Sequence, residues 1–516
     1  MSEPKPEQRH PEGGRAESPR AESRKPDADV IIIGGGPVGE NAADRVVQGG
    51  LTAVIVEHEL VGGECSYWAC MPTKALLRSG AALAAAQRVP GAAEAVTGRL
   101  NRAAVLARRD DFAANWSDDG QVDWVRDAGI DLVRGHGSVL GERRVLVTAP
   151  DGTTRELLAR HAVVLATGST ASLPDIPGLA EAEPWTSREA ASADEIPEHL
   201  VILGGGVVAS EFATAYRSLG ARVTLIARSG LLGGFEPFAG DLVAQQLRDS
   251  GAEVILGAEV ARVARDARGV RVETSAGRVV EGTEVLVALG RTPAVAGLGL
   301  GALGLPDEAA PGPVPTEETL RVPGLPWLYA IGDVTGRAPL THQGKYQGRA
   351  AGDVIVARAT GAPVDAEAWG VHAATADARA RTQVVFTDPE VASVGLTEAA
   401  AQADRPGGVR VVDADFDSVA GASLHADGYR GRARLVVDEA TETVLGATFV
   451  GQDVAELAQS AAIAIVGEVP LRRLWHAVPA YPTLSEVWLR LLEADGRPEA
   501  AAGTAPGAAA GPATGA

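Results

Sequence analysis

Hydrophobic and polar positions repeat one pattern twice along this chain. An unbroken apolar run leads into a glycine cluster, then a helical stretch, then a second apolar run. Asp29-Val-Ile-Ile-Ile33 and Leu200-Val-Ile-Leu203 are short and rich in β-branched residues, which predicts buried parallel strands. Helices are predicted from about Glu40 to Gln48 and from about Ala209 to Leu219. Second strands follow at Thr52–Val56 and Arg222–Ile226. Between the repeats, the pattern gives helices at Pro72–Gln87 and 102–126. Strands are expected at 131–134, 145–148 and 162–165. Past the second repeat come strands near 253–256, 262–263, 270–274, 278–280 and 284–289, a Gly/Pro-rich loop over 294–323, a strand at 327–331 and a long helix over 343–359. From Arg379 the pattern changes to an antiparallel sheet with strands near 384–386, 391–395, 409–415, 433–438 and 444–450. Helices near 397–403, 454–466 and 485–494 accompany it.

The glycines give the two repeats a chemistry. Gly34, Gly36 and Gly39 form G-x-G-x-x-G between a strand and a helix. Gly34 permits the tight turn, Gly36 lets a pyrophosphate approach the backbone, and Gly39 lets helix and strand pack closely. The helix N-terminus offers free N–H groups to phosphates. Glu57, 23 positions after Gly34, ends the second strand and can accept hydrogen bonds from ribose hydroxyls. The second repeat reads Gly204, Gly206 and Ala209. There the same spacing lands on Ala227, followed by Arg228. Without the acid, a ribose 2′-phosphate is tolerated, and Arg228 can pair with it. NADPH is therefore favoured over NADH, the bland alternative being a solvated surface arginine. Ala166-Thr167-Gly168 and Ile331-Gly332-Asp333 are two further turns that bring backbone, and the Asp333 carboxylate, close to a cofactor.

Length and charge narrow the class. The 516 residues suffice for about three domains, and 46% hydrophobic residues supply the core. A formal net charge of −20 argues against nucleic acid and against an anionic membrane surface as partner. Residues 1–27 carry no apolar signal segment, and residues 1–27 and 497–516 have the composition of disordered tails. Cytoplasmic location is the expectation. The chain has two cysteines, Cys65 and Cys70, in Gly62-Gly-Glu-Cys-Ser-Tyr-Trp-Ala-Cys-Met-Pro-Thr-Lys74. A close pair in a long chain points to redox or metal chemistry. No further cysteine or histidine pair nearby completes a metal site, so none is assigned. A helix N-terminus and Lys74 are expected to lower the thiol pKa values.

Together, these motifs with Gly290-Arg291-Thr292-Pro293 and Pro389-Glu-Val-Ala-Ser-Val-Gly395 resemble the class I pyridine nucleotide–disulfide oxidoreductases over roughly residues 28–495. The resemblance implies an α/β fold. Two Rossmann-like dinucleotide-binding domains, for FAD (28–172 and 288–375) and NAD(P)H (173–287), precede a C-terminal α+β dimerisation domain (376–496). It implies a homodimer that takes part in cell redox homeostasis. Electrons pass from NAD(P)H through FAD to a redox-active Cys65–Cys70 disulfide and on to a small acceptor. FAD would be held by Gly34, Gly36, Gly39, Glu57, Gly63, Lys74, Thr167, Gly168, Gly332 and Asp333. NAD(P)H would be held by Gly204, Gly206, Ala209, Arg228, Gly290 and Arg291. Cys65 would attack the acceptor and Cys70 would face the flavin, beside a Lys74–Glu211 ion pair. Val207 stands where glutathione reductase has an aromatic gate.

The C-terminal motif departs from the family. Where the family has a histidine that serves the thiols as acid/base, this chain has Tyr481, in Ala480-Tyr-Pro-Thr-Leu-Ser-Glu486, with Glu486 as the orienting acid. Tyrosine ordinarily titrates near ~10, against ~6.5 for histidine. His476 is a second candidate for the role. The chain also lacks the C-terminal cysteine pair and the N-terminal metal domain of mercuric reductase, so dedicated mercury reduction is not expected. Two readings compete with disulfide exchange. One is quinone, dye or transhydrogenase-like electron transfer from the flavin. The other is a flavin-binding sensor.

Overall fold

The computed structural model describes residues 25–497. The expected tails lie outside the described residues, except for two stretches. Asp27 is not part of a free tail, because its N–H bonds the Leu158 carbonyl at 2.8 Å and its carboxylate accepts from the Leu158 N–H at 2.9 Å. Arg497 stacks over the Trp475 ring at 5.9 Å.

The first sheet is built around β1 (Ala28–Ile33), buried along its whole length. α1 (Pro37–Gln48) leads to β2 (Ala53–Glu57), parallel to β1. The helix opens at Pro37, three residues earlier than the pattern predicts, since proline is pre-set for a first helical position. α2 (Gly63–Tyr67) and α3 (Cys70–Gln87) follow as two helices, split at Trp68-Ala69. The long helical stretch is likewise divided, into α4 (Arg102–Phe112) and α5 (Asp119–Asp127). β3 (Asp131–Arg134) pairs with β2, while β4 (His136–Gly141), β5 (Arg144–Thr148) and β6 (Thr154–Leu165) close the other side. The order is β3-β2-β1-β6-β5-β4.

β7 (Ser169–Ala171) and α6 (Ser187–Ser192) carry the chain out of this unit. The second unit repeats the first with β8 (His199–Leu203), α7 (Val207–Ser218) and β9 (Arg222–Ala227). α8 (Pro237–Asp249), which the apolar pattern did not announce, leads to β10 (Glu253–Leu256). β11 (Val260–Asp266), β12 (Gly269–Thr274) and β13 (Val279–Gly282) form a meander, and β14 (Glu284–Val287) completes the parallel order β10-β9-β8-β14. β15 (Arg291–Pro293) returns beside β7, so the two crossovers between the units form one small antiparallel ribbon. β16 (Leu328–Ala330) then pairs with β6, and α9 (Thr341–Thr360) packs along α1. Gly348 and Gly352 make that approach possible: a Cβ on either would meet α1 backbone or the Arg45 Cβ within 3 Å.

The last unit is an antiparallel sheet. α10 (Ala376–Arg379) precedes β17 (Thr382–Val385), β18 (Glu390–Gly395), α11 (Glu398–Asp404), β19 (Val409–Asp415) and α12 (Ala420–His425). β20 (Arg432–Asp438), β21 (Thr443–Gly451), α13 (Leu457–Val466), α14 (Leu471–Leu474) and α15 (Val487–Asp495) finish it. The order β17-β18-β21-β20-β19 holds a core centred on Phe416, Phe449 and Leu491. Leu424, Ile463, Val478 and Tyr481 are exposed, from 62% to 83%. Among the described residues, no helix is long and apolar enough to cross a membrane.

Candidate active site

A cavity of ≈ 680 Å³ runs from the C-terminal ends of β1 and β2 to the cysteine stretch. At one end lie Gly34, Gly36 and Glu57; at the other lie Cys65, Cys70, Lys74, Glu211 and Thr341. Gly34 has φ +109, and a Cβ there would overlap the Ala166 carbonyl; a Cβ on Gly39 would overlap the Gly34 carbonyl. Gly36 and Gly63 face each other so closely that a Cβ on Gly63 would sit 2.9 Å from the Gly36 Cα. These bare backbones, opening at the N-terminus of α1, suit a pyrophosphate.

Glu57 ends β2 with its carboxylate fixed. Its Oε2 accepts from the Gly35 N–H at 2.6 Å and its Oε1 from the Glu59 N–H at 2.7 Å. Burial alone would raise this carboxyl, but the hydrogen bonds from His58, Glu59 and Gly35 outweigh it and hold the pKa below its ordinary value. The Thr167 hydroxyl donates to the Ala294 carbonyl, and the Gly332 N–H donates to Gln347. Asp333 accepts from the Ser169 hydroxyl at 2.6 Å, and that hydroxyl accepts from Arg291 Nε at 2.7 Å. Arg291 therefore lines this first cavity. Its Nη2 also reaches Glu64 at 3.5 Å. Glu64 is shared with Arg188, at 2.7 Å, and Arg188 pairs with Glu59 and lies 4.1 Å over the Trp68 ring. The sequence pattern gave no sign of Arg188, and it placed Ser169 in the Ala166–Ser169 turn and Glu64 in the cysteine motif without a partner for either. Each is an unremarkable residue until the fold joins segments more than 100 positions apart.

At the far end, Lys74 Nζ lies 2.7 Å from Glu211 Oε2, joining α3 of the first unit to α7 of the second. Glu211 is 3% exposed, and its other oxygen accepts from the Phe386 N–H at 3.0 Å. Lys74 also sits 5.2 Å over the Phe386 ring. Val207 and Phe212 of α7 line the same end.

Both cysteines are free thiols, so the expected disulfide is open in this structure. Cys65 lies within α2 and Cys70 opens α3, so the break between the helices faces one sulfur toward the other. The expectation that both thiols ionise easily holds for only one. The Cys65 hydrogen bond, a Thr341 hydroxyl at 3.3 Å and the Lys74 charge pull the Cys70 pKa down against its burial. Cys65 moves the other way. Its hydrogen bond to Cys70, burial and the Cys70 charge all push it up, against Thr341 and Lys345. The shared hydrogen bond lowers one thiol's pKa and raises the other's. Thr341, the first residue of α9, was not anticipated, since an isolated threonine carries no signal of its own.

The remaining candidates lie elsewhere. Gly204, with φ +129, repeats the Gly34 turn against the Ala288 carbonyl, and Gly206 has open space where a Cβ would stand. Ala209 is buried, Arg228 is exposed after β9, and Gly290 is exposed between β14 and β15. Tyr481 is 77% exposed and lines no part of this chain's cavity. Glu486 is buried and accepts from the Gly421 N–H at 3.1 Å. His476 is exposed beyond the end of α14.

A long cavity with a bonded carboxylate at one end and a thiol of lowered pKa beside an ion pair at the other fits FAD. Comparison with known proteins agrees. The pyridine nucleotide-disulphide oxidoreductase family matches residues 28–348, and its dimerisation domain matches residues 382–491. A dihydrolipoyl dehydrogenase of Chlamydia trachomatis is 32% identical over 467 residues, covering 89% of this chain and 95% of the relative. A mercuric reductase of Shewanella putrefaciens is 32% identical over 470 residues, covering 89% and 79%. Among solved structures, the Cu(II) complex of the HOCl-induced flavoprotein disulfide reductase RclA of Escherichia coli superposes with a TM-score of 0.76. It is 24% identical, covering 90% of this chain and 99% of that one. LpdA of Mycobacterium tuberculosis gives 0.74 at 25% identity, covering 90% and 98%.

Proposed function

This chain belongs to the pyridine nucleotide–disulphide oxidoreductase family, and from that premise we propose that it is a homodimeric, cytoplasmic enzyme using NADPH to reduce a small disulfide acceptor. Its FAD- and pyridine nucleotide-dependent disulfide chemistry follows from the family. The acceptor, the choice of NADPH and the roles below are our reading. The observation that carries it is the cluster of Cys70, Thr341, Lys74 and Glu211 at one end of the cavity, with Cys65 one hydrogen bond further on.

Residues 28–172 and 288–375 would hold FAD, through the turns at Gly34–Gly39, Thr167-Gly168 and Gly332-Asp333, with Glu57 on the ribose. Bound there, FAD supplies the two-electron relay between nicotinamide and thiols. Residues 173–287 would hold NADPH, with Gly204, Gly206 and Ala209 at the phosphates and Arg228 on the 2′-phosphate. Gly290 contributes backbone at the crossover, while Arg291 serves the FAD side through Ser169. Lys74 and Glu211 keep a fixed charge pair where the two units meet. The Cys65 thiolate attacks one sulfur of the acceptor disulfide, and the other sulfur leaves as a thiolate. Cys70 then attacks the Cys65 sulfur, closing the Cys65–Cys70 bond and releasing the second thiolate. Two electrons have passed from the pair to the acceptor. The exposed apolar face of residues 376–496 fits pairing of two copies, which would bring Tyr481 and Glu486 of the partner subunit to Cys65.

Anaerobic titration with NADPH and with NADH tests the reading. A long-wavelength thiolate–flavin absorbance band is expected, at lower NADPH than NADH. No band would remove the role given to Cys70, and equal responses would remove the NADPH preference. Cys65→Ser should abolish disulfide turnover; if quinone turnover is the main activity and survives, the disulfide is not the acceptor.

A further inference from the structure

The stretch between the two cysteines is held first by its own unit. Tyr67 is buried, and its hydroxyl donates to the Val61 carbonyl at 3.0 Å. The Trp116 indole N–H donates to the Tyr67 carbonyl at 3.2 Å. A second hold arrives from the outgoing crossover. Arg188, the second residue of α6, lies 4.1 Å from the centroid of the Trp68 ring and spreads its guanidinium between two carboxylates. Its Nε donates to Glu64 Oε2 at 2.8 Å, and its Nη1 and Nη2 donate to the two oxygens of Glu59, each at 3.0 Å. Glu64 precedes Cys65, and Trp68 follows it by three positions. Glu59, Glu64 and Arg188 all line the cavity.

The helix that carries Arg188 is itself pinned. Thr186 and Glu189 cap its start reciprocally: the Thr186 hydroxyl accepts from the Arg188 N–H at 3.2 Å, and the Glu189 carboxylate accepts from the Thr186 N–H at 2.7 Å. The Tyr216 hydroxyl of α7 donates to the Ala190 carbonyl at 2.8 Å. Arg109 of α4, 1% exposed, donates to the Ala191 carbonyl at 2.7 Å. Arg188 thus reaches the cysteine stretch from a support fixed against both nucleotide units. Its side chain is 40% exposed, so its ion pairs stabilise the fold only modestly. What they fix is position. A planar guanidinium that forks carboxylates and covers a ring dictates the direction of each partner, which a lysine ammonium cannot do.

We propose that Arg188 is a positioning residue that sets the reduction potential of the Cys65–Cys70 pair, by holding Glu64 and Trp68 so that Cys65 stays presented to Cys70 after the bond has opened. This rests on the disulfide-exchange reading above and deepens it. A disulfide tolerates a narrow range of geometry, so freedom of α2 relative to α3 lowers the effective concentration of one sulfur at the other. Against dithiothreitol the exchange is balanced. The Cys65–Cys70 bond forms, the S–S bond of the oxidised reagent breaks, and two electrons and two protons pass from the pair to the reagent. Holding the open pair in place favours the closed form; removing Arg188 favours the dithiol.

The test equilibrates the holoenzyme without oxygen in dithiothreitol and glutathione mixtures that bracket the parent's midpoint. Acid quenching, labelling with N-ethylmaleimide in denaturant and peptide mass then give the closed fraction. Arg188→Met should hold about tenfold less disulfide at a given ratio, a midpoint about 30 mV higher. Arg188→Lys, charged but unable to fork or lie flat, should shift nearly as far. Trp68→Leu should shift about threefold in the same direction. A parental midpoint for Arg188→Met overturns the proposal. So does one for Arg188→Lys, because charge alone would then suffice. If Arg188→Met does not fold with its flavin, Trp68→Leu, which keeps both ion pairs, decides, and a parental midpoint there overturns the proposal. The parent enzyme separates the two readings. If its cysteines show no reversible transition in these mixtures, the disulfide-exchange reading has failed; a reversible transition with unshifted variants means that only the Arg188 role has.

Discussion

The two nucleotide units start from one plan and end in different chemistry. In each, a glycine with positive φ turns the chain off a buried strand, and its N–H bonds the second strand, Gly34 to Val56 and Gly204 to Ile226, both at 2.9 Å. In the first unit the third glycine is obligatory, since a Cβ at Gly39 would overlap the Gly34 carbonyl. In the second, α7 accommodates Ala209, fully buried, at the same position. The first unit fixes a carboxylate, Glu57, on the Gly35 and Glu59 N–H groups. The second has a buried Ala227 and an exposed Arg228 at the same point. The two repeats therefore end their second strands differently, β2 on the Glu57 carboxylate and β9 on Ala227 with Arg228 just beyond it.

That comparison can be broken most forcefully at Glu57. Glu57→Ala would leave two backbone donors without an acceptor, at ~1–3 kcal/mol each, and should strip most flavin from the purified protein on dialysis, read from absorbance near 450 nm. Full flavin retention would mean that Glu57 does not anchor the first nucleotide. The joint between the units comes next. Lys74→Met leaves Glu211 buried without its cation; the ~3–5 kcal/mol cost of breaking a fully buried pair is discounted to about 2 kcal/mol because Lys74 is 34% exposed. Urea unfolding of the holoenzyme should show that loss, and an unchanged midpoint would count against the pair. Arg228→Ala should act only on the second unit, raising KM for NADPH about tenfold, ~1.4 kcal/mol, with little change for NADH. Equal effects on both coenzymes would refute a 2′-phosphate contact.

Much of this was legible in the sequence because it is local. A strand, three glycines and a terminal acid lie within 30 residues, and each glycine answers a steric need of its own turn. The Lys74–Glu211 pair came from resemblance, and the fold places it at 2.7 Å. What escaped is what depends on distant segments meeting. Thr341 reaches Cys70 across 271 positions, and Arg188 reaches Glu64 across 124. Neither residue type carries a pattern until α9 and α6 are in place. The opposite behaviour of the two thiols was also hidden. A helix start and a lysine favour both sulfurs equally on paper, whereas in the fold they share one hydrogen bond, and the gain of one is the loss of the other.

Glu64 has a mechanical consequence. It is the residue before Cys65, and it grips Arg188 at the start of α6 and Arg291 in β15. Those two arginines ride on the outgoing and returning crossovers between the nucleotide units. The carboxylate thus rivets the two crossovers together, one residue before Cys65.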